Sequence, residues 1–270
     1  MKLKLLTAAL VLATSGSAHA LILDGTPSGG NGNGELFMTL WNKEAQTSYI
    51  LDLNLRMNDF LGKVERGPSF SCMAGQCLYE YRADANMTAF LAGVADKSRL
   101  LFAIGAVDSV GASATDYHRM ISTASVIDPS STLTNLRLQQ LGTNANQMLA
   151  NVNADIGNNT SLVVTDPRRP AYAGSALWGD NWGGVANFTA TGPMGEAMDM
   201  YLLRQSSGAF AQRNSPSVYE ALMYNGNPVF AQLDMDGNLY IAAVPEPETY
   251  ALMLAGLGLV GWMARRRKAA

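Results

Sequence analysis

Arg99-Leu-Leu-Phe-Ala-Ile-Gly-Ala-Val107 carries one charge, at its first residue, and is apolar from there on. An unbroken apolar run of strand length reads as a strand covered on both faces, so residues 99–107 are expected to form a central strand. Outward from it, Asp116 to Ile127 is expected to pair beside it. Upstream, Glu35 to Asn42 alternates Leu36, Met38 and Leu40 with Phe37, Thr39 and Trp41, again apolar on both sides. Lys43 to Gln46 is a polar connection, and Ser48 to Leu53 reads as the returning strand of a hairpin. Leu21 to Gly34, rich in Gly, Asn, Ser and Pro, reads as a flexible lead-in.

Two segments break the β pattern. Asn86 to Ala95 places Phe90, Leu91 and Val94 on one face, with Asp84 or Asn86 as cap. Thr132 to Asp155 repeats Leu133, Leu136, Leu141, Met148, Leu149 and Val152 near helical spacing. This predicts a long amphipathic helix with a possible break at Gly142-Thr143 and an end at Gly157-Asn158-Asn159. Beyond residue 160, strands are expected at Ser161–Thr165, Ala186–Thr191, Met198–Gln205, Val218–Tyr224, Val229–Leu233 and Leu239–Ala243, with Asp236-Gly237 as a hairpin turn. No fixed-period repeat is present, which argues against a solenoid or propeller. The expected architecture is a mainly β, sandwich-like ectodomain over residues 21–243 with one or two packed helices.

Composition narrows the function. Of 270 residues, 48% are hydrophobic and 15% charged, which excludes intrinsic disorder. Between Leu21 and Val244 the chain holds thirteen basic and twenty acidic side chains, a net −7. That balance excludes a nucleic-acid partner held by a basic surface.

The two ends speak of transport. Lys2 and Lys4 precede an apolar stretch, Leu5 to Ala13, too short to span a bilayer. Ala18-His19-Ala20 is a small-x-small cleavage site, so residues 1–20 read as a signal peptide that signal peptidase removes before Leu21. At the other end, residues 244–270 contain Val244-Pro245-Glu246-Pro247-Glu248-Thr249, then an uncharged run from Tyr250 to Ala264, then Arg265-Arg266-Arg267-Lys268. Fifteen helical residues reach only about 22 Å, short of a ~30 Å hydrocarbon core. Interfacial Tyr250 and Trp262 and snorkelling arginines make up the difference, so a C-terminal transmembrane helix is expected over about 250–264. The basic cluster 265–268 acts as its cytoplasmic stop, leaving the body outside the inner membrane.

This tail resembles the PEP-CTERM sorting domain of exported Gram-negative proteins, a segment also described as an ice-binding protein C-terminal domain. Pro245-Glu246-Pro247, a short apolar helix and a basic end occur together in the family's order. The resemblance implies a substrate of an exosortase, held in the inner membrane, cut near the Pro-Glu-Pro motif, and then carried to the cell surface or medium. It also implies a link to biofilm and exopolysaccharide. Two prolines hold the motif extended, the form a membrane protease needs.

In the body, Cys72 and Cys77 sit in an exported chain, so a disulfide closing this short loop is the default. A metal site there would lack ligands, and no cofactor is expected. Trp178-Gly-Asp-Asn-Trp-Gly-Gly184 has two readings. The indoles either form a glycan-binding surface, with ring faces for a sugar, or fill core between layers. His118, the one histidine left after cleavage, would have to be the base of any hydrolase, and no Gly-x-Ser-x-Gly elbow accompanies it. Asp234-Met-Asp-Gly-Asn238 looks like half a calcium loop and equally like a hairpin turn, the preferred reading. Three glycosylation-type sequons, at Asn86, Asn158 and Asn187, read as chance matches. A flat ice-binding face needs a regular threonine array, whereas Thr189-Ala190-Thr191 stands alone. The reading favoured is a non-enzymatic surface or matrix protein. Extracellular polysaccharide is its possible partner, and a carbohydrate-binding module on Trp178 and Trp182 is the alternative.

Overall fold

The computed structural model describes residues 21–26, 32–66, 77–109, 118–127, 132–206 and 213–243. In chain order its elements are β1 (Glu35–Asn42), β2 (Thr47–Arg56), α1 (Met57–Arg66), β3 (Cys77–Tyr81), α2 (Ala85–Ala92), β4 (Leu101–Asp108), β5 (Arg119–Ala124), β6 (Val126–Ile127) and α3 (Asn135–Ile156). There follow β7 (Ser161–Val164), β8 (Phe188–Thr189), β9 (Gly192–Pro193), β10 (Ala197–Arg204), β11 (Val218–Ala221), β12 (Met223–Tyr224), β13 (Asn227–Leu233) and β14 (Leu239–Ala243).

Among the described residues, twelve strands form one antiparallel sheet whose main path runs β3-β14-β13-β10-β5-β4-β1-β2-β7, while β6 and β8 make a separate ribbon. The apolar run at 99–107 is the strand expected, with β5 on one side and β1 on the other. The β1–β2 hairpin pairs Met38 with Leu51 and Asn42 with Thr47. The sandwich expectation is corrected. Alternation on β1 and β4 reported two covered faces, but the covers are helices and a loop rather than a second sheet.

The sheet instead curls into a half-barrel. Its inner face gathers Leu36, Met38 and Leu40 of β1, Phe102 and Ile104 of β4, and Val229 and Ile241 from β13 and β14. Strands far apart in sheet order meet across the curl, where the Tyr81 hydroxyl of β3 donates to the Leu53 carbonyl of β2 at 2.8 Å. Two helices fill the mouth. Asp84 caps α2, accepting from the Met87 N–H at 2.7 Å, and Met87, Phe90 and Leu91 point inward. Helix α1 was not foreseen, although buried Met57, Phe60, Leu61 and Val64 follow i, i+3, i+4, i+7 spacing. It starts directly at the end of β2, with no loop to signal a change.

The outer face carries α3, capped by Thr134 and unbroken through Gly142-Thr143 over 22 residues. Buried Leu138, Leu141, Ala145, Met148, Leu149 and Val152 pack with Phe37, Ala103 and Val107 of the sheet. The lead-in is partly fixed. Ile22 is buried, its N–H and carbonyl both held by the Asn153 amide of α3 at 2.9 Å. At the strand ends, Arg119 donates twice to the buried Asp108 carboxylate, at 2.9 and 2.6 Å, and reaches Asn58 at the start of α1. Among the described residues no helix is long and apolar enough to cross a membrane. The transmembrane helix expected over 250–264 lies outside them.

Two outcomes follow for stability. A Cβ on Gly105 of β4 would lie 2.5 Å from the Trp182 ring. Gly105→Ala is expected to cost about 1–3 kcal/mol by thermal or urea unfolding, and Trp182→Phe should recover part of that loss in the double variant. Asp52 is 7% exposed, and burial, with the charge of Glu35 adding, raises its carboxyl to about 6. The native state therefore holds this proton more tightly than the unfolded chain, and stability from it is lost as pH rises from about 4 through 6. Asp52→Asn should raise the melting temperature at pH 7.5, by up to about 3 kcal/mol of stability, with the gain vanishing near pH 4.

Candidate functional site

The tryptophan loop was the strongest local cluster in the sequence, and the fold turns it inside out. Trp178 is 2% and Trp182 1% exposed. The Trp178 indole N–H donates to the Thr39 hydroxyl of β1 at 3.3 Å, and that of Trp182 to the Ser122 hydroxyl of β5 at 3.0 Å. The two indoles meet edge to face, their ring centres 3.9 Å apart, and Phe37 packs beside them, 5.0 Å from Trp178 and 6.3 Å from Trp182. A stacking platform needs open ring faces, so the glycan-binding reading of Trp178 and Trp182 is corrected and the core reading stands. Trp182 adopts a left-handed conformation, φ 55°, and the Gly183 N–H closes back on the Trp178 carbonyl at 2.6 Å.

With the indoles inward, the polar residues between them face out. Asp180 takes the Lys43 ammonium and the Thr191 hydroxyl, each at 2.7 Å. Asn181 borders a groove of about 260 Å³, together with Val126, Arg137, Asn187, Phe188 and Thr189. Four segments supply these side chains: the β6 edge, the first turn of α3, the tryptophan loop and β8. Asn187 and the Tyr219 hydroxyl are hydrogen-bonded behind the groove. Val126 is 62% and Ile127 38% exposed, which makes this ribbon the apolar rim. Sequence reading singled out Asn181 only as a companion of the tryptophans. It could not find Arg137, which joins the groove by long-range packing and carries no local signal.

The remaining candidates resolve individually. His118 sits at a left-handed turn, φ 53°, entering β5, half-buried beside Gly142 of α3. Burial holds its imidazole below the ordinary histidine value. The Asp234 carboxylate accepts from the N–H groups of Asp236 and Asn238 at 2.9 and 2.8 Å and from the Asn238 amide at 3.0 Å, with Gly237 at φ 88°. This is the β13–β14 hairpin turn. Thr191 is buried on Asp180, so the Thr189-Ala190-Thr191 stretch presents no threonine face. Cys72, the sorting motif Pro245-Glu246-Pro247, the basic stop 265–268 and the cleavage residues Ala18 and Ala20 lie outside the described residues, and with Cys72 goes the disulfide expected with Cys77.

The junction to the tail is described on its body side. β14 lies inside the sheet, paired along its length with β13 and β3, and its last residue, Ala243, is buried opposite Val229. Residues 243–268 match the family model for the PEP-CTERM protein-sorting motif. No curated protein and no solved structure matches the chain. The match makes the tail a sorting signal, consistent with export and with membrane-anchored processing by an exosortase. The matched segment begins on Ala243, the last described residue and the last residue of β14.

The buried and exposed halves of the tryptophan loop should respond differently to truncation. Trp182→Ala is expected to lose about 3–5 kcal/mol of stability, whereas Asn181→Ala should stay within about 0.5 kcal/mol by urea titration.

Proposed function

We propose that the chain is a non-enzymatic surface or matrix protein of a Gram-negative bacterium, delivered by exosortase sorting and associated with biofilm exopolysaccharide. The observation that carries the sorting step is the match of residues 243–268 to the PEP-CTERM motif, beginning on the last residue of β14. The signal peptide takes the chain across the inner membrane and is removed after Ala20. Residues 21–243 then fold on the periplasmic side, while residues 250–264 hold the tail in the bilayer with the 265–268 cluster inside.

Cleavage near Pro245-Glu246-Pro247 leaves every strand among the described residues intact, because the last of them ends at Ala243. The distance is short. Two residues from Ala243 to Pro245 span at most about 7 Å, and seven to Tyr250 about 25 Å. The folded body therefore sits against the membrane until it is cut. Its release is a change of location with no loss of core.

Expression of the full chain in its host, with and without the exosortase, tests this by mass and by fractionation. With the enzyme, a body beginning at Leu21 and ending near Pro245–Pro247 should reach the surface or medium. Without it, the uncut chain should stay in the inner membrane. An uncut, membrane-held chain in both strains would replace sorting with simple anchoring.

A further inference from the structure

The groove beside the tryptophan loop has chemistry that the sorting function does not use. Three of its side chains keep hydrogen-bonding capacity unspent among the described residues. The Asn181 carbonyl oxygen accepts from the Gly184 N–H at 3.0 Å, which leaves its NH₂ without an acceptor. Thr189 is bonded through its backbone carbonyl, to the Ser125 N–H and hydroxyl, so its own hydroxyl is open. Arg137 uses its backbone N–H on the Thr134 cap, and its guanidinium makes no ion pair. Among the described residues that border the groove it is the only ionisable one. It stands in the first turn of α3, where a 22-residue helix adds positive potential.

The groove thus offers a cation, an amide donor and a hydroxyl, with the exposed aliphatic side chain of Val126 on its rim and the buried Phe188 behind it. A planar guanidinium suits a carboxylate, and the amide and hydroxyl suit ring hydroxyls. Its volume, about 260 Å³, lies below the roughly 300–1,000 Å³ of drug-sized pockets, which fits one sugar unit. We propose that this groove binds a carboxylate-bearing sugar unit, a uronate, with Arg137 holding the carboxylate and Asn181 and Thr189 the hydroxyls. The body is net −7 between Leu21 and Val244, so attraction of an acidic chain is local to Arg137 rather than a long-range field. Weak, roughly millimolar affinity per sugar follows from the small contact, and strength would come from repeated units. The proposal adds a ligand class to the matrix reading, and its test is independent of tail processing.

The test uses the purified full chain in detergent, with ligand-observed NMR against methyl glucuronide, methyl glucoside and acetate. The glucuronide should bind at roughly millimolar concentration, and the glucoside and acetate at least about tenfold more weakly. Arg137→Gln and Asn181→Ala should each weaken glucuronide binding, the former by about tenfold or more, at unchanged melting temperature. Arg168→Gln, an exposed arginine paired with Asp166 away from the groove, should leave binding as it was. Equal binding of glucoside removes the carboxylate from the recognition. Equal binding of acetate removes the sugar and points to carboxylates in general, a peptide C-terminus included. Absence of glucuronide binding, or full binding by Arg137→Gln, overturns the proposal.

Discussion

The close approach of Trp182 to Gly105 holds the outer half of this protein in place. β4 runs through the middle of the sheet, and its outward residues Ala103, Gly105 and Val107 are small enough to admit a large ring. Trp182 lies on Gly105 and reaches Ser122 on β5, while Trp178 reaches Thr39 on β1. Two indoles thus span three adjacent strands and pin the loop between β7 and β8 onto the sheet. Both indole N–H groups are satisfied, which lets them be buried without an orphaned donor. Because this loop and α3 cover the outer face, no second sheet is needed there.

The same constraint creates the groove. Turning both indoles inward leaves Asp180 and Asn181 on the opposite side of a tight loop. Asp180 is tied to Lys43 and Thr191, which fixes the backbone beside it. Asn181 is then presented, at a set position, to the first turn of α3 and to the β6–β8 ribbon. A rigid core contact thereby orients a surface site several residues away in space, the arrangement that keeps binding groups preorganised.

On the inner side, curvature replaces layering. β3 approaches β2, and α1 and α2 fill the opening with Phe60, Leu61, Phe90 and Leu91. The chain leaves this half-barrel from β14, a strand held on both sides. Two ladders of hydrogen bonds hold the strand that precedes the tail. The position of the sorting motif at the very end of β14 fits a body that keeps its fold before and after processing.

Local chemistry made much of this legible without coordinates. The run at 99–107, the two-faced alternation at 35–42, the stripe of α3, the Asp84 cap and the Asp236-Gly237 turn are short-range patterns set by period and by turn geometry, and each appears where expected. The sorting motif is also linear, since a processing enzyme reads an extended stretch of chain. The cover of each sheet face was not legible, because alternation reports that a face is buried and is silent on what buries it. Helix α1 escaped because it continues from β2 without a turn signal. The fate of the tryptophans and the assembly of Arg137, Asn181 and Thr189 depended on contacts between segments far apart in sequence. The sequence by itself thus determined most of the strands, the long helix and the C-terminal sorting motif. Only the tertiary structure decided which side of the loop faces water, because that choice was made by one ring fitting over one glycine.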